Sequence, residues 1–582
     1  MTTPHVRGRR SNYDKFPVAG AGPAAAASAG WPAIADRLRA DRPRVIVVDC
    51  YPGVLDADVK QLVAALGPDV VLDAATALKP PAAVDAMVQP DLGDDPVFGR
   101  LTRLGLADFF DEGRVADLRR RVDEAQGTVL VVGVGAALVS RGDLLVHASL
   151  PRREIELRQN AGLIGNLGAD NVGTRPALVY KRAYFVDWRV ADEHKQRLWP
   201  EVDFVLDTAG DDRPVLVEAE AYFASLADVV SRPFRVVPWF EPAPWGGRWM
   251  QRVCDLDPDV DNFGWCFDCV PEENSLLVRF GDHTFEAPSL DLVLRHPQEL
   301  LGDSVVRRFG AEFPIRFDFL DTMGGGNLSL QVHPLTDYIR EHFGLTFTQD
   351  ESYYLLDADD DAIVYLGLRS DVDPVAMELQ LRAAQNGGSP FPAGRHVNTW
   401  PAQRHDHFLI PAGTVHCSGR NSMVLEISAT PYIFTFKLWD WDRPGLDGRP
   451  RPVHLDHGLR NIQWHRDTVY TQRNLINHVE PLGSGDGWRA ERTGLHEAEF
   501  IDTHRHWFTG AAPHHTNGGV NVLNLVQGEE AVVSSPGGAF EPFTVHYAET
   551  FIVPAAVGAY TIAPGPAAAG SECATIKAFV RP

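Results

Sequence analysis

Four residues in the C-terminal half of the chain carry side chains that bind metal ions: Gln331, His333, Glu351 and His416. Leu328-Ser329-Leu330-Gln331-Val332-His333-Pro334 reads as a short strand, and alternate side chains of a strand share a face, so Gln331 and His333 project to one side. Glu351 opens the next apolar run, Ser-Tyr-Tyr-Leu-Leu. His416 closes Phe408-Leu-Ile-Pro-Ala-Gly-Thr-Val-His416, where Pro411 and Gly413 make the bend that turns the imidazole inward. One carboxamide oxygen, two imidazoles and one carboxylate form a mixed O/N set that suits zinc or a similar divalent ion. The chain holds 21 histidines, and most need no function, including His405, His407 and the group His504, His506, His514 and His515. The four ligand candidates stand apart because all fall at inward-facing strand positions.

The pattern Pro-x-Gly-x-x-His, downstream of a first ligand strand, resembles the second metal motif of cupin β-barrels. Further motifs follow in register: Arg232-Pro-Phe-Arg, Pro244-Trp-Gly-Gly247, Phe313-Pro-Ile-Arg-Phe-Asp-Phe-Leu-Asp321, Val424-Leu-Glu426-Ile and Phe436-Lys437-Leu-Trp-Asp440-Trp-Asp442-Arg443. With these, residues 232–582 resemble the type I mannose-6-phosphate isomerases, which are zinc-dependent cupin enzymes. The resemblance implies that Gln331, His333, Glu351 and His416 are the ligands of one Zn2+ per chain. Two positions depart from the family. Its members carry a Lys just before the ligand Glu, where this chain reads Thr348-Gln349-Asp350-Glu351, and an Arg where it reads Thr435-Phe436-Lys437. A guanidinium grips phosphate with a planar fork while an ammonium acts as a point charge, so these exchanges bear on the substrate and leave the metal untouched.

The chemistry so implied is an aldose–ketose isomerisation between mannose 6-phosphate and fructose 6-phosphate through an enediol, with the metal as Lewis acid. Glu426 is the candidate to shuttle the carbon-bound proton, a structural salt bridge being its other reading. Lys437 is the candidate to stabilise the enediolate or hold the distal substrate group. Gln349 and Lys437 also leave open an isomerase or epimerase of a different or non-phosphorylated sugar. A non-enzyme alternative is a metal-bound sugar-sensing protein.

Positioning these residues calls for two cupin-type β-barrels with a helical insertion, preceded by an α/β doubly wound domain. Ser289–Arg295, Gln298–Leu301 and Asp337–Phe343 read as short helices. Pro374–Gln385 has Val375 with Leu379 and Met377 with Leu381 at i, i+4 spacing and would be the insertion between ligand strands. Beyond about 465 the chain is β-rich again, and Pro554-Ala-Ala-Val-Gly-Ala559 puts Ala where a ligand His would stand, so a metal-free structural barrel is expected. Before the isomerase-like part, the apolar runs at Val45, Val70, Thr128, Leu144 and Phe204 alternate with helical periodicity at 56–66 and 115–125, as in a buried parallel sheet. This order resembles a nucleoside-kinase-like P-loop domain, yet the turn Asp49-Cys-Tyr-Pro-Gly53-Val-Leu lacks the Gly-Lys-Ser/Thr ending, so a degenerate domain without kinase activity is expected. Its basic clusters, Arg152-Arg153, Arg158, Lys181-Arg182 and Lys195-Gln196-Arg197, read as solvated helix faces, a relic phosphate-binding surface being their other reading. The expected division is a flexible segment at 1–40, the α/β domain at 41–231, the zinc barrel at 232–464 and the metal-free barrel at 465–582.

Composition sets the outer bounds. A formal net charge of −24 over 582 residues disfavours nucleic acid and anionic membrane as partners and leaves a small-molecule sugar or sugar phosphate. No apolar run has the length to span a bilayer. Arg7-Gly8-Arg9-Arg10 followed by the Ala-rich stretch is interrupted by Asp14 and Lys15, which argues for a flexible leader and a cytoplasmic address. Cys50, Cys254, Cys266, Cys269, Cys417 and Cys573 have no framework spacing, and the lone Cys266-x-x-Cys269 is expected to be a pair of incidental reduced thiols.

Overall fold

The computed structural model describes residues 11–210, 213–446, 448–494, 496–497 and 499–582. The basic cluster Arg7-Gly8-Arg9-Arg10 lies outside them. The chain forms two units, one of residues 18–229 with 272–295, the other of residues 11–17, 230–271 and 296–582. No helix among the described residues is long and apolar enough to cross a membrane.

The first unit is built on a seven-stranded sheet. Its order is Ala27–Ala29, Val215–Glu218, Phe204–Asp207, Leu144–Ser149, Val45–Cys50, Val129–Gly133, Val70–Asp73. The last five run parallel to one another, and Val215–Glu218 is antiparallel to its neighbour Phe204–Asp207. Every residue of Val45–Cys50 and of Leu144–Ser149 is buried, as a continuous apolar run needs when both faces of a parallel sheet are covered. The chain returns to this unit at 272–295, where Ser275–Phe280 pairs in parallel with Val18–Gly22 and in antiparallel with His283–Pro288.

Two expectations for this region are corrected. The stretch read as a flexible leader forms the strand Val18–Gly22 and the helix Trp31–Arg39. Trp31, Ile34, Ala35 and Leu38 fall on one helical face and are buried in the core of the sheet, a gain in burial that outweighs the entropy of ordering the segment. The basic clusters read as solvated faces are largely buried: Arg152, Arg158, Lys181, Arg182 and Lys195 are each at most 7 % exposed. Most meet carboxylates. Arg152 pairs with Asp192 at 3.0 Å and Glu273 at 3.3 Å, and Lys195 with Asp291 at 2.6 Å and Asp192 at 3.3 Å. Arg182 pairs with Asp85 at 2.6 Å, while Lys181 donates to the Leu92 carbonyl at 2.6 Å. A buried charge persists only when paired or hydrogen-bonded, and all of these partners but Asp192 of Lys195 lie far off in sequence.

Asp207, at the end of its strand, accepts from the backbone N–H groups of Glu286 and Ala209, both at 2.8 Å. Burial nevertheless pushes its carboxyl up to about 7. The folded state therefore holds a proton that the unfolded chain, titrating near 4, has released, so stability falls as pH rises from about 4 to about 7. Asp207→Asn is expected to flatten that part of the stability–pH curve, as read by thermal unfolding at several pH values.

The second unit holds two barrels, each a pair of facing sheets, and gives the chain a cupin-like, multidomain architecture. In the first barrel one sheet runs His407–Ile410, Glu351–Ala358, Ser422–Ala429, Ile315–Asp321, Trp265–Cys269, Trp239–Glu241, and the other Val397–Pro401, Ile363–Leu368, His416–Ser418, Leu330–Val332, Phe436–Trp439. Helix Pro374–Gln385 is inserted between Ile363–Leu368 and Val397–Pro401, with Met377 and Leu381 buried and Val375 and Leu379 exposed. The second barrel pairs a six-stranded sheet containing Ile501–Phe508, Cys573–Val580 and Asn521–Gln527 with the four-stranded sheet Ala512–His515, Ala559–Pro564, Glu530–Ser534, Phe543–His546. Phe508, Leu523, Leu525, Val533, Phe551 and Ile562 fill its core. All six cysteines are free and buried.

Candidate metal centre

His333, Glu351 and His416 converge inside the first barrel, and each is at most 1 % exposed. His416 Nε2 lies 2.6 Å from Glu351 Oε1, and His333 Nε2 lies 3.1 Å from Glu351 Oε2. The other ring nitrogens face backbone carbonyls, His333 Nδ1 at 3.2 Å from Phe434 O and His416 Nδ1 at 2.8 Å from Thr414 O. A proton on each Nδ1 satisfies those carbonyls and leaves both Nε2 lone pairs aimed inward, the tautomer a metal-binding histidine needs. Gln331 is the cross-strand partner of His416, its Nε2 3.3 Å from His416 Nε2. Turned about its last bond, this carboxamide presents Oε1 to the same point. Three of the four residues singled out in the sequence, His333, Glu351 and His416, thus meet at one place as a candidate cation site, with the Gln331 carboxamide beside them.

Local rules explain how the sequence builds this point. Pro411-Ala-Gly-Thr is a tight turn closed by Thr414 N–H donating to Pro411 O at 3.1 Å. Gly413 sits third in it with φ +86°, which the turn requires and which a side chain disfavours. A Cβ there would also lie 2.8 Å from Asn461 O. The Gly413 N–H donates to His333 O at 3.0 Å, tying the turn that delivers His416 to the segment that carries His333. Asp350 accepts from Ala412 N–H at 2.7 Å and so registers Glu351 against the same turn.

Around the cluster lies a polar row that joins Glu426 and Gln349 to Arg316, Asp318 and Ser428, which the sequence did not single out. Cross-strand pairing sets Glu351 opposite Ser428, Tyr353 opposite Glu426, Arg316 opposite Ser428 and Asp318 opposite Glu426, so these side chains share the inner face of one sheet. Arg316 Nη2 donates to Glu426 Oε1 at 2.6 Å and to Asp318 Oδ2 at 2.7 Å. Ser428 Oγ donates to Glu426 Oε1 at 2.9 Å. Gln349 Nε2 reaches Glu351 Oε2 at 3.3 Å and Glu426 Oε1 at 3.4 Å, bridging the two carboxylates. The signal for Arg316 and Asp318 was present in Ile315-Arg-Phe-Asp-Phe-Leu-Asp321, where two charged residues stand two positions apart in an apolar strand and so share a face. His405 and His407 bond Tyr354 and Ser352, at 2.9 and 2.8 Å.

The electrostatics follow from two buried acids sharing one guanidinium. Burial raises Glu426, and the nearby Glu351 charge adds to it, against the pull of Arg316. Burial pushes Asp318 up to about 6 despite the same cation. Burial also works on Glu351, but the His333 and His416 rings outweigh it and hold the carboxyl well below its ordinary range. Lys437, the other cross-strand neighbour of Gln331, is lowered by burial and then by Arg451 to about 7. Arg316→Met should cost about 3–5 kcal/mol of folding stability, because it strands Asp318 and Glu426 without their cation. Urea unfolding with the native far-UV signal as reference checks this.

A pair of facing sheets around a buried His–Glu–His cluster defines a cupin-like barrel with a candidate metal site. Among characterised proteins, the chain is similar to the mannose-6-phosphate isomerase ManA of Bacillus subtilis, with 23% identity over 308 residues, 53% of this chain and 89% of that protein. It is also similar to the mannose-6-phosphate isomerase of Streptococcus mutans, with 28% identity over 218 residues, 37% of this chain and 63% of that one. The crystal structure of the Bacillus subtilis mannose 6-phosphate isomerase superposes with a TM-score of 0.48 at 18% identity, covering 60% of this chain and all of that one. Residues 30–231 match a family model described as a domain of unknown function, DUF8485.

Proposed function

We propose that the protein is a zinc-dependent aldose–ketose isomerase that interconverts mannose 6-phosphate and fructose 6-phosphate, with one ion held by Gln331, His333, Glu351 and His416. The observation that carries this reading is the buried His333–Glu351–His416 cluster lying one carboxamide, that of Gln349, away from Glu426. A divalent ion bound there would act as a Lewis acid on the oxygens at C1 and C2 of the sugar. Glu426 moves the proton between C1 and C2, and its raised affinity for a proton suits a general base. Arg316 and Ser428 hold its Oε1 in place. Lys437, which forms no ion pair among the described residues, stabilises the enediolate or holds the distal phosphate.

One observation favours a second substrate class. Where the isomerase family carries a Lys, Gln349 is neutral and directs its amide to two carboxylates, so this position adds no cation for a phosphate. A coupled assay on zinc-loaded protein, run with mannose 6-phosphate, free mannose and other sugar phosphates, tests both. Turnover of mannose 6-phosphate alone supports the first reading. Turnover of an unphosphorylated sugar supports the second, and silence on all of them with zinc bound leaves a sugar-sensing protein.

A further inference from the structure

The second barrel places four basic side chains together at one end of its interior. His504 and His506 lie two residues apart on Ile501–Phe508 and face the same way. Lys577 is the cross-strand partner of His504, and His514 reaches in from the facing sheet, where its partner is Tyr560. The ring centroids of His506 and His514 are 4.2 Å apart, those of His504 and His506 6.4 Å, and His514 stacks on Tyr560 at 5.0 Å. His504, His514 and Lys577 border a cavity of about 310 Å³, also lined by His515 and Asn517, and His506 packs behind His514.

Three features distinguish this cluster from ordinary packing. His506, His514 and Lys577 are 6–7 % exposed, yet both ring nitrogens of His514 and Nδ1 of His506 have no hydrogen-bond partner. Buried polar groups usually find a partner, so ring nitrogens that no protein group engages are open to a ligand. Next, no carboxylate borders the cavity, and Lys577 forms no ion pair among the described residues, its ammonium resting 5.3 Å from the Phe579 ring. In a chain of net charge −24, a cavity lined only by basic and neutral groups is a local reversal of sign. Finally, the three histidines do not bring their nitrogens to a common point as His333, Glu351 and His416 do, and Lys577 repels a cation.

We propose that this end of the second barrel is an anion site that takes a phosphate group, either inorganic phosphate or that of a sugar phosphate. Imidazole N–H groups and an ammonium are charge-assisted donors to phosphate oxygens, and the cavity admits a small ligand. Burial lowers Lys577 to about 8, and burial together with repulsion from the neighbouring basic groups lowers His506 to about 3, His504 to about 4 and His514 well below its ordinary value. Asp502 and Arg492 are the other charged groups acting on His504, with opposite signs. A bound dianion reverses these shifts, so binding takes up protons. The site is independent of the isomerase reading.

Two measurements on the intact, metal-loaded protein decide it. Calorimetric titration with inorganic phosphate in two buffers of different ionisation enthalpy is expected to show binding with net proton uptake. Lys577→Met should weaken that binding about tenfold or more, the loss of one charge-assisted contact. Should that variant fold poorly, crystals of the unaltered protein soaked in tungstate, an anomalous scatterer of phosphate shape, should show density beside His514 and Lys577. Displacement of that density by mannose 6-phosphate, beyond what equal inorganic phosphate achieves, would identify a sugar phosphate as ligand; equal displacement would identify the free ion. Density at the first barrel alone, or none, overturns the proposal. A parallel soak in nickel that places the cation on these histidines, with no tungstate there, overturns it in favour of a metal site.

Discussion

His416→Ala is expected to abolish metal binding. His416 Nε2 makes the shortest contact in the cluster, 2.6 Å to Glu351 Oε1, and its ring is oriented by the Thr414 carbonyl. Alanine removes a nitrogen donor that the strand cannot replace, since Cys417 points to the other face and Ser418 offers only a hydroxyl already bonded to Gly419 O at 3.3 Å. Losing even an outer partner of a metal ligand typically costs 10–100-fold in affinity, so the loss of a ligand should exceed about 100-fold. Elemental analysis after dialysis should fall from about one divalent ion per chain to almost none. His407→Ala, which removes a buried ring bonded to Ser352 outside the cluster, should keep its ion. An alanine at 416 that retained the metal would place the site elsewhere.

Glu426→Gln should preserve fold and metal while lowering turnover by about 10²–10⁴-fold, the usual worth of a positioned acid–base group. The replacement is isosteric, and its Oε1 still accepts from Arg316 and Ser428, at present 2.6 and 2.9 Å away. Arg316 keeps Asp318 as its counter-ion. What disappears is the capacity to take and return a proton. The rate on whichever sugar proves to be the substrate is the readout, with metal content and melting temperature as controls. A variant as fast as the unaltered protein would reduce Glu426 to the salt bridge that Arg316 makes with it, and the shuttle would have to be sought at another residue of the same face.

Both predictions rest on residues legible before any coordinates. Gln331 and His333 could be read because a strand's two-residue period is a local property, and His416 because Pro411 and Gly413 specify a turn within four residues. The helix Pro374–Gln385 was legible for the same reason, its i, i+4 spacing being local. Steric limits on neighbouring backbone angles govern such features, and they act over a few residues.

The partners of these residues were not legible. Arg316 meets Glu426 across 110 residues of chain, and Lys195 meets Asp291 across 96. Which acid neutralises which base depends on strand register and on the cost of burying an unpaired charge, and a linear pattern carries neither. The same reason turned supposedly solvated Arg152 and Lys195 into buried ion pairs, drew Trp31–Arg39 into a core, and gathered His504, His506, His514 and Lys577 at one end of a barrel. The amino-acid sequence by itself determined the residue types of the candidate site, their strands and the turn that presents His416. Only the tertiary structure decided which charges are shared, because burial makes each such pairing a property of the whole fold.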